Sequence, residues 1–207
     1  MKMKTRERIL HTSLELFNHC GEPNVTTLQI ADEMDISPGN LYYHFKSKGE
    51  IVRELFEWYE HQINELLDVP EVTITVEDQW LFLHLIFETV ARFRFIYQDL
   101  VNVLSRYDDL QPHFRRILAR KRTASLTICD SLRQQGMLNA NDRELEALCE
   151  QISLTITYWL SFEVLSHLDD KDKVDLGRGV YQVMLLVAPF LREEERGMLE
   201  AMGQEYL

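Results

Sequence analysis

Residues 37–48 read Ser-Pro-Gly-Asn-Leu-Tyr-Tyr-His-Phe-Lys-Ser-Lys. These residue types are suited to binding. Hydroxyls, an amide and an imidazole form hydrogen bonds with a polar surface, and Lys48 adds positive charge. On a helix, successive side chains turn by about 100°. Leu41 and Phe45 therefore share one face and are expected in a core. Gly39 and Tyr43 point the opposite way, flanked by Asn40 and Tyr42. A solvated helix face normally carries Lys and Glu. This one carries two tyrosines, an amide and a glycine, and glycine weakens a helix unless something must approach its backbone closely. A DNA major groove is a surface of that kind, able to admit a helix and offering polar base edges between phosphates.

The flanking residues define the elements that hold this face. Thr26 and Gln29 have the spacing of a capping box. Ile30, Ala31 and Met34 follow at helical spacing, and Asp35 stands where the first helix must stop in a left-handed conformation. Ser37 is the next N-cap, and Pro38 takes the first helical position, where a missing N–H costs nothing. Ser47 and Glu50 form a further capping pair. Lys48 then falls in the first turn of its helix, where a cation opposes the helix dipole. A phosphate outside the protein would explain it.

The pattern Thr26–Thr27, Ile30–Ala31, Ile36–Ser37, Gly39, Leu41–Tyr42, His44–Phe45 and Lys48 resembles the N-terminal domain of the TetR family of bacterial repressors. With the helix before it, the resemblance covers the first quarter of the chain. Two positions depart from it: Asp35 replaces a frequent turn glycine, and Leu28 stands where a polar or basic residue is common. The resemblance implies that Thr27, Tyr42, His44 and Lys48 contact phosphates and that Gly39, Asn40 and Tyr43 face the groove. Thr26, Ser37 and Pro38 complete the expected DNA-binding set. No Arg lies on this helix for bidentate reading of guanine, so specificity is expected to lean on backbone, methyl and shape contacts.

The chain has 207 residues, of which 45% are hydrophobic and 27% charged, enough for one or two domains with a sizeable core. No charge-free apolar run reaches the roughly 18 residues of a membrane span, and no apolar signal region follows Lys2, Lys4, Arg6 and Arg8. Three widely spaced cysteines fit a reducing cytoplasm and neither a disulfide framework nor a zinc site. The net charge of −12 is unevenly spread. Residues 1–50 hold six Lys/Arg against seven Asp/Glu, whereas residues 51–207 hold sixteen against twenty-seven. Acidity thus belongs to the larger part of the chain, which leaves the first part fit for nucleic acid.

Helical periodicity continues throughout. One helix spans Thr5 to about Cys20, ended by Gly21 and Pro23. Another spans Lys48 to about Leu67 and is the natural lever between a DNA-binding part and the rest. After a connector around Pro70, Thr75 and Asp78 cap a helix from Val76. A further helical piece reaches about Tyr107. Helices 112–135, 141–167 and 174–191 follow, with a short closing piece from Glu193 to Met202. No segment reads as a convincing strand. The expected fold is all-α: a three-helix helix-turn-helix DNA-binding domain over residues 1–47 and a larger helical effector-binding and dimerisation domain over 48–207.

Aromatics are dense in the second part. Trp80, Phe87, Phe93, Tyr107, Phe114, Tyr158, Trp159 and Phe162 are the candidates for a mainly apolar effector pocket, with ordinary core packing as the alternative reading of each. From Ile152 to Leu165 and from Val180 to Leu191, apolar residues run nearly all round the helix. Such helices need a partner on each side, which points to a homodimer through 141–167 and 174–191 paired as a four-helix bundle. The pairs Glu57/His61 and His84/Glu88 supply too few ligands for a metal. No nucleophile elbow, Gly-rich phosphate loop or HExxH motif occurs, so no cofactor, metal or catalysis is expected. The expected function is that of a cytoplasmic, ligand-responsive dimeric repressor. It would bind a pseudo-palindromic double-stranded DNA operator and leave it when a small, mainly apolar effector enters. The alternatives are an activator on the same fold, a helical enzyme or a protein-binding adaptor.

Overall fold

Several helix starts are set by side-chain caps, most of them in the pairs expected. Thr26 Oγ1 accepts the N–H of Gln29 at 3.2 Å, and Gln29 Oε1 accepts that of Thr26 at 2.8 Å. The same reciprocal exchange joins Thr75 with Asp78 and Asn141 with Glu144. Ser37 caps the N–H of Asn40 at 3.2 Å. The Ser47/Glu50 pair forms by half. Glu50 N–H donates to Ser47 Oγ, but the Glu50 carboxylate turns to the N–H of Lys46 at 2.7 Å. Asp35 adopts the left-handed conformation, with φ 53°.

The computed structural model describes residues 4–69, 75–167 and 175–203. The expected connector around Pro70, the start of the 174–191 helix and Lys2 lie outside them. Eleven α-helices are present among the described residues: α1 (Thr5–Cys20), α2 (Thr27–Glu33), α3 (Pro38–His44), α4 (Lys48–Leu67), α5 (Val76–Arg92), α6 (Arg94–Gln98), α7 (Leu100–Arg106), α8 (Gln111–Gln134), α9 (Asp142–Ser166), α10 (Leu176–Val187) and α11 (Glu193–Gly203). Short 3-10 turns cover Glu22–Asn24, Asp108–Leu110 and Ala188–Phe190. Two expectations change. The single piece up to Tyr107 breaks into α6 and α7 at Asp99 (φ −133°, ψ 37°). The last long helix stops at Val187, and a 3-10 turn containing Pro189, which lacks an N–H to continue the ladder, replaces its end. Among the described residues, sheet-type pairing is confined to an isolated bridge between Leu138 and Leu191.

The chain forms two compact units: Met1–Gln62 with Phe93–His113, and Ile63–Arg92 with Phe114–Leu207. In the first unit Ile9, Phe17, Ile30, Leu41, Ile51, Leu55 and Tyr59 form the buried centre. Segment 93–113 joins them through specific contacts. The Phe93 ring meets Trp58 and Tyr59 edge-on at 5.4 and 5.7 Å, and Phe95 lies 5.5 Å from Phe17. Asn18, near the end of α1, accepts the N–H of Phe95 on its side chain at 3.0 Å and Arg94 Nε on its carbonyl at 3.1 Å. One residue of α1 thereby satisfies donors at the start of α6.

In the second unit α10 packs against α5 and α9. Val180, Val183, Leu160, Cys149 and Leu132 are buried there. Lys121 of α8 is buried as well, and burial pulls its ammonium down to about 7. Gly179 lets two rings rest on the α10 backbone. A Cβ there would stand 2.5 Å from Phe87 Cε1 and 2.6 Å from Trp159 Cδ1. Alanine favours a helix over glycine by about 1 kcal/mol, yet overpacking costs about 1–3 kcal/mol. Gly179→Ala is therefore expected to lower the free energy of unfolding in equilibrium urea titration. Unchanged or raised stability would show that the two rings yield freely.

Candidate nucleic-acid interface

The two-residue seam read from the sequence anchors α3. Leu41 and Phe45 are buried in the first unit. On the other side Tyr43 is 77% exposed. Ser37, Pro38, Gly39, Asn40 and Tyr42 are exposed with it, as is Thr26 at the start of α2; Thr27 and His44 are half-buried. Thr27 Oγ1 and Tyr42 Oη share a hydrogen bond of 2.8 Å, which ties the first turn of α2 to α3. Lys46 Nζ donates to the Tyr42 carbonyl at 3.2 Å. The Tyr43 ring stands edge-on to His44 at 5.1 Å. The candidate set is thus a contiguous arrangement on two helices held in register by their caps and one hydroxyl pair.

Gly39 is informative because nothing inside the protein needs it. An added Cβ would meet only Ser37 Oγ, at 3.9 Å, and the positive-φ glycines are Gly21 and Gly136. A residue that weakens the helix without an internal reason points to close approach from outside.

Lys48 departs from expectation. Its Nζ lies 2.9 Å from the Glu22 carboxylate and donates to the backbone carbonyls of Glu22 and Val25 at 2.9 and 3.0 Å. An ammonium has three donors, and all three are used. A buried carboxylate, not an external phosphate, explains the cation in the first turn of α4. Glu22 is 1% exposed. Burial acts to raise its carboxyl pKa, but the hydrogen bonds from Lys48 and Tyr107, with the charges of Lys48 and Arg106, outweigh this and hold it below the ordinary value. Sequence reading missed Glu22, because its partners lie 26, 84 and 85 residues away. Arg6, at the basic start of α1, pairs with Glu54 and stands over the Phe45 ring at 4.6 Å.

The eight pocket aromatics are divided between the units. Phe93 and Tyr107 belong to the first, Phe93 against Trp58 and Tyr59 and Tyr107 donating to Glu22 at 2.8 Å. In the second unit Phe87 and Phe114 are buried, as is Trp159 at the Gly179 contact. Trp80 is half-buried and stacks on His84 at 5.1 Å. Tyr158 and Phe162 are exposed on α9, where with Leu154, Trp159 and Leu186 they line a surface groove of ≈ 260 Å³. A separate cavity of ≈ 40 Å³ has mostly aliphatic walls, including Leu83, Ile128, Ile152, Ile156 and Val183, with Phe82 and the polar Gln79 and Ser125. None of the eight lines it. Aromatic density signalled packing in general, whereas this cavity is built largely from branched aliphatics that look like any core.

The helical faces expected to pair two subunits divide clearly. Val183 is 1% exposed and Leu185 40%. Leu154, Tyr158, Phe162 and Leu165 form an exposed apolar stripe on α9 at helical spacing, with Leu165 67% exposed.

Known proteins match this architecture over nearly the whole chain. The family profile described as bacterial regulatory proteins, tetR family, matches residues 9–55, and the one described as bacterial transcriptional repressor matches residues 58–199. A solved TetR-family transcriptional regulator from Marinobacter aquaeolei VT8 is 37% identical, with 99% of each chain covered and a TM-score of 0.89. SmeT, the repressor of the Stenotrophomonas maltophilia multidrug efflux pump SmeDEF, shares the fold at 15% identity, with 93% of each chain covered and a TM-score of 0.63. The HTH-type transcriptional regulator AcrR of Shigella flexneri is 27% identical over 142 residues, a match spanning 57% of this chain and 66% of that protein. With both profiles matched in order and a full-length relative of the same fold, the chain belongs to the TetR family of bacterial transcriptional regulators.

Proposed function

We propose that this regulator, a member of a non-enzymatic family, acts in the cytoplasm as a homodimeric repressor of transcription. It binds a pseudo-palindromic operator and releases it when a small, mainly apolar effector enters the second unit. The exposed face of α3 carries the DNA-binding reading: Gly39, Asn40 and Tyr43 stand out from a helix whose other side is locked into the core. Thr26, Thr27, Ser37, Pro38, Tyr42 and His44 surround them and supply hydroxyl and imidazole groups for phosphates. Lys48 acts in a different way, by holding Glu22. Repression, in preference to activation, is supported by the description of the matched profile.

The apolar stripe on α9 supports dimerisation. Contiguous exposed apolar surface of this kind marks an interaction site, and a helix-turn-helix protein needs two subunits in fixed register to read two half-sites about one turn apart. The cavity between α5, α8, α9 and α10 supports the effector reading. Its walls are apolar, with Gln79 and Ser125 as orienting groups. At ≈ 40 Å³ it must widen to accept a compound larger than water, and that widening supplies a structural change for the effector to select. Among the described residues, no helix is long and apolar enough to cross a membrane.

Two expectations follow. Gly39→Ala meets no internal obstacle and should leave thermal stability equal or higher, because alanine is the better helix former by about 1 kcal/mol. Its affinity for a selected duplex should nevertheless fall at least tenfold, read by fluorescence anisotropy; unaltered affinity would remove close approach at α3. Leu185→Glu should give a folded monomer in sedimentation velocity, with sharply reduced duplex affinity, whereas Val183→Glu should damage folding itself. A Leu185→Glu chain that still sediments as a dimer would rule out this α10 face as part of the interface.

A further inference from the structure

Glu22 lies in the short turn between α1 and α2, and its buried carboxylate gathers donors from two distant stretches. Lys48, in the first turn of α4, places Nζ 2.9 Å from Oε1. Tyr107 Oη donates to the same oxygen at 2.8 Å, and Arg106 Nη2 donates to Oε2 at 2.7 Å. The remaining Lys48 donors hold the carbonyls of Glu22 and Val25, just before the Thr26 cap of α2. The end of α7 thus grips the same carboxylate that fixes the entry to α2 and the start of α4. Close by, Arg53 Nε of α4 donates to Asp109 Oδ2 at 2.6 Å. The Arg53 guanidinium also stands over the Tyr107 ring, 5.9 Å from its centroid.

Chain connectivity gives this arrangement its consequence. Segment 93–113 belongs to the same unit as α1–α3, yet in sequence it is strung between α5 and the body of α8, which belong to the other unit. We propose that Glu22 is a positioning residue for DNA binding: through it Arg106 and Tyr107 fix the α2–α3 pair, so that duplex affinity depends on both without either touching DNA. The proposal rests on the DNA-binding reading above and extends it to residues outside the two reading helices.

The probe is the duplex that the wild-type chain selects from a random-sequence pool. Glu22→Gln itself can unfold the unit, so the test uses the peripheral donors. Tyr107→Phe keeps the ring and removes one neutral donor; Arg106→Gln removes the cation that Glu22 shares with Asp99. Each is expected to weaken the duplex about five- to tenfold, the range of a modest coupling. The slope of log affinity against log salt should stay at its wild-type value, because no phosphate contact is lost. Amide exchange at residues 25–30 should quicken, and Arg106→Lys should recover most of the affinity. Wild-type affinity in Tyr107→Phe overturns the proposal. So does a flattened salt slope in Arg106→Gln, which would make Arg106 a phosphate contact in its own right. A wild-type chain that selects no duplex would overturn the DNA-binding reading together with this one.

Discussion

A carboxylate taken out of water must be met by donors, and at Glu22 that requirement ties together three stretches of the first unit. Burying a charged group costs several kcal/mol even after relaxation, and removing one partner of a buried pair typically costs about 3–5 kcal/mol. Here the donors come from Lys48, Arg106 and Tyr107. Satisfying one side chain therefore closes the turn before α2, seats the start of α4 and draws the end of α7 against both. The same bond resolves the odd placement of a lysine in the first turn of a helix. Its charge opposes the macrodipole by a few tenths of a kcal/mol, a small penalty beside the cost of leaving Glu22 unpaired. Segment 93–113 is further held by Asn18 at its start and by Arg53 near its end.

On that frame the exposed face of α3 needs little of its own. Leu41 and Phe45 fix the rotation of α3, Ser37 and Pro38 fix its start, and the left-handed Asp35 fixes the turn that feeds it. The outward residues are free of packing duties, so their identities are open to selection by a partner. That is why a glycine without an internal reason carries more information than the buried leucine beside it. The acidic balance sits mainly in the second part of the chain, which limits indiscriminate attraction to phosphate.

Much of this was legible in the sequence, and the boundary of legibility is physical. Caps and seams are local: Thr26 with Gln29, Thr75 with Asp78, and Leu41 with Phe45 act within one or two turns. The all-α class and the helix-turn-helix followed from them. The role of Lys48 was not legible, because the residue that decides it is 26 positions away and its burial is a tertiary fact. The break at Asp99, where the backbone takes φ −133° and ψ 37°, was not legible either, because no Gly or Pro between Arg94 and Arg106 marks it. The eight aromatics are spread over different surroundings, three of them along the α9 groove. Phe93 and Tyr107 serve the first unit, whereas the cavity is walled mostly by Leu, Ile and Val, whose pattern matches any core. At about 100° per residue Val183 and Leu185 fall on roughly opposite faces of α10, and which face turns inward depends on where α5 and α9 lie. Lys121 and the Cys129/Cys149 pair belong to the same class. Their chain positions give no hint that Lys121 is buried, nor that the Cys129 and Cys149 thiols perturb each other, the pKa of Cys129 upward and that of Cys149 downward.

The central claim is that two α3 faces, held by one dimer, read a duplex. Selection of duplexes from a random-sequence pool by the wild-type chain tests it most directly. Enriched sequences are expected to contain two inverted half-sites with centres about 10 base pairs apart, or a multiple of that spacing, and their affinity should fall as salt rises. A pool that shows no enrichment, or enriches a single unrepeated half-site, would contradict it.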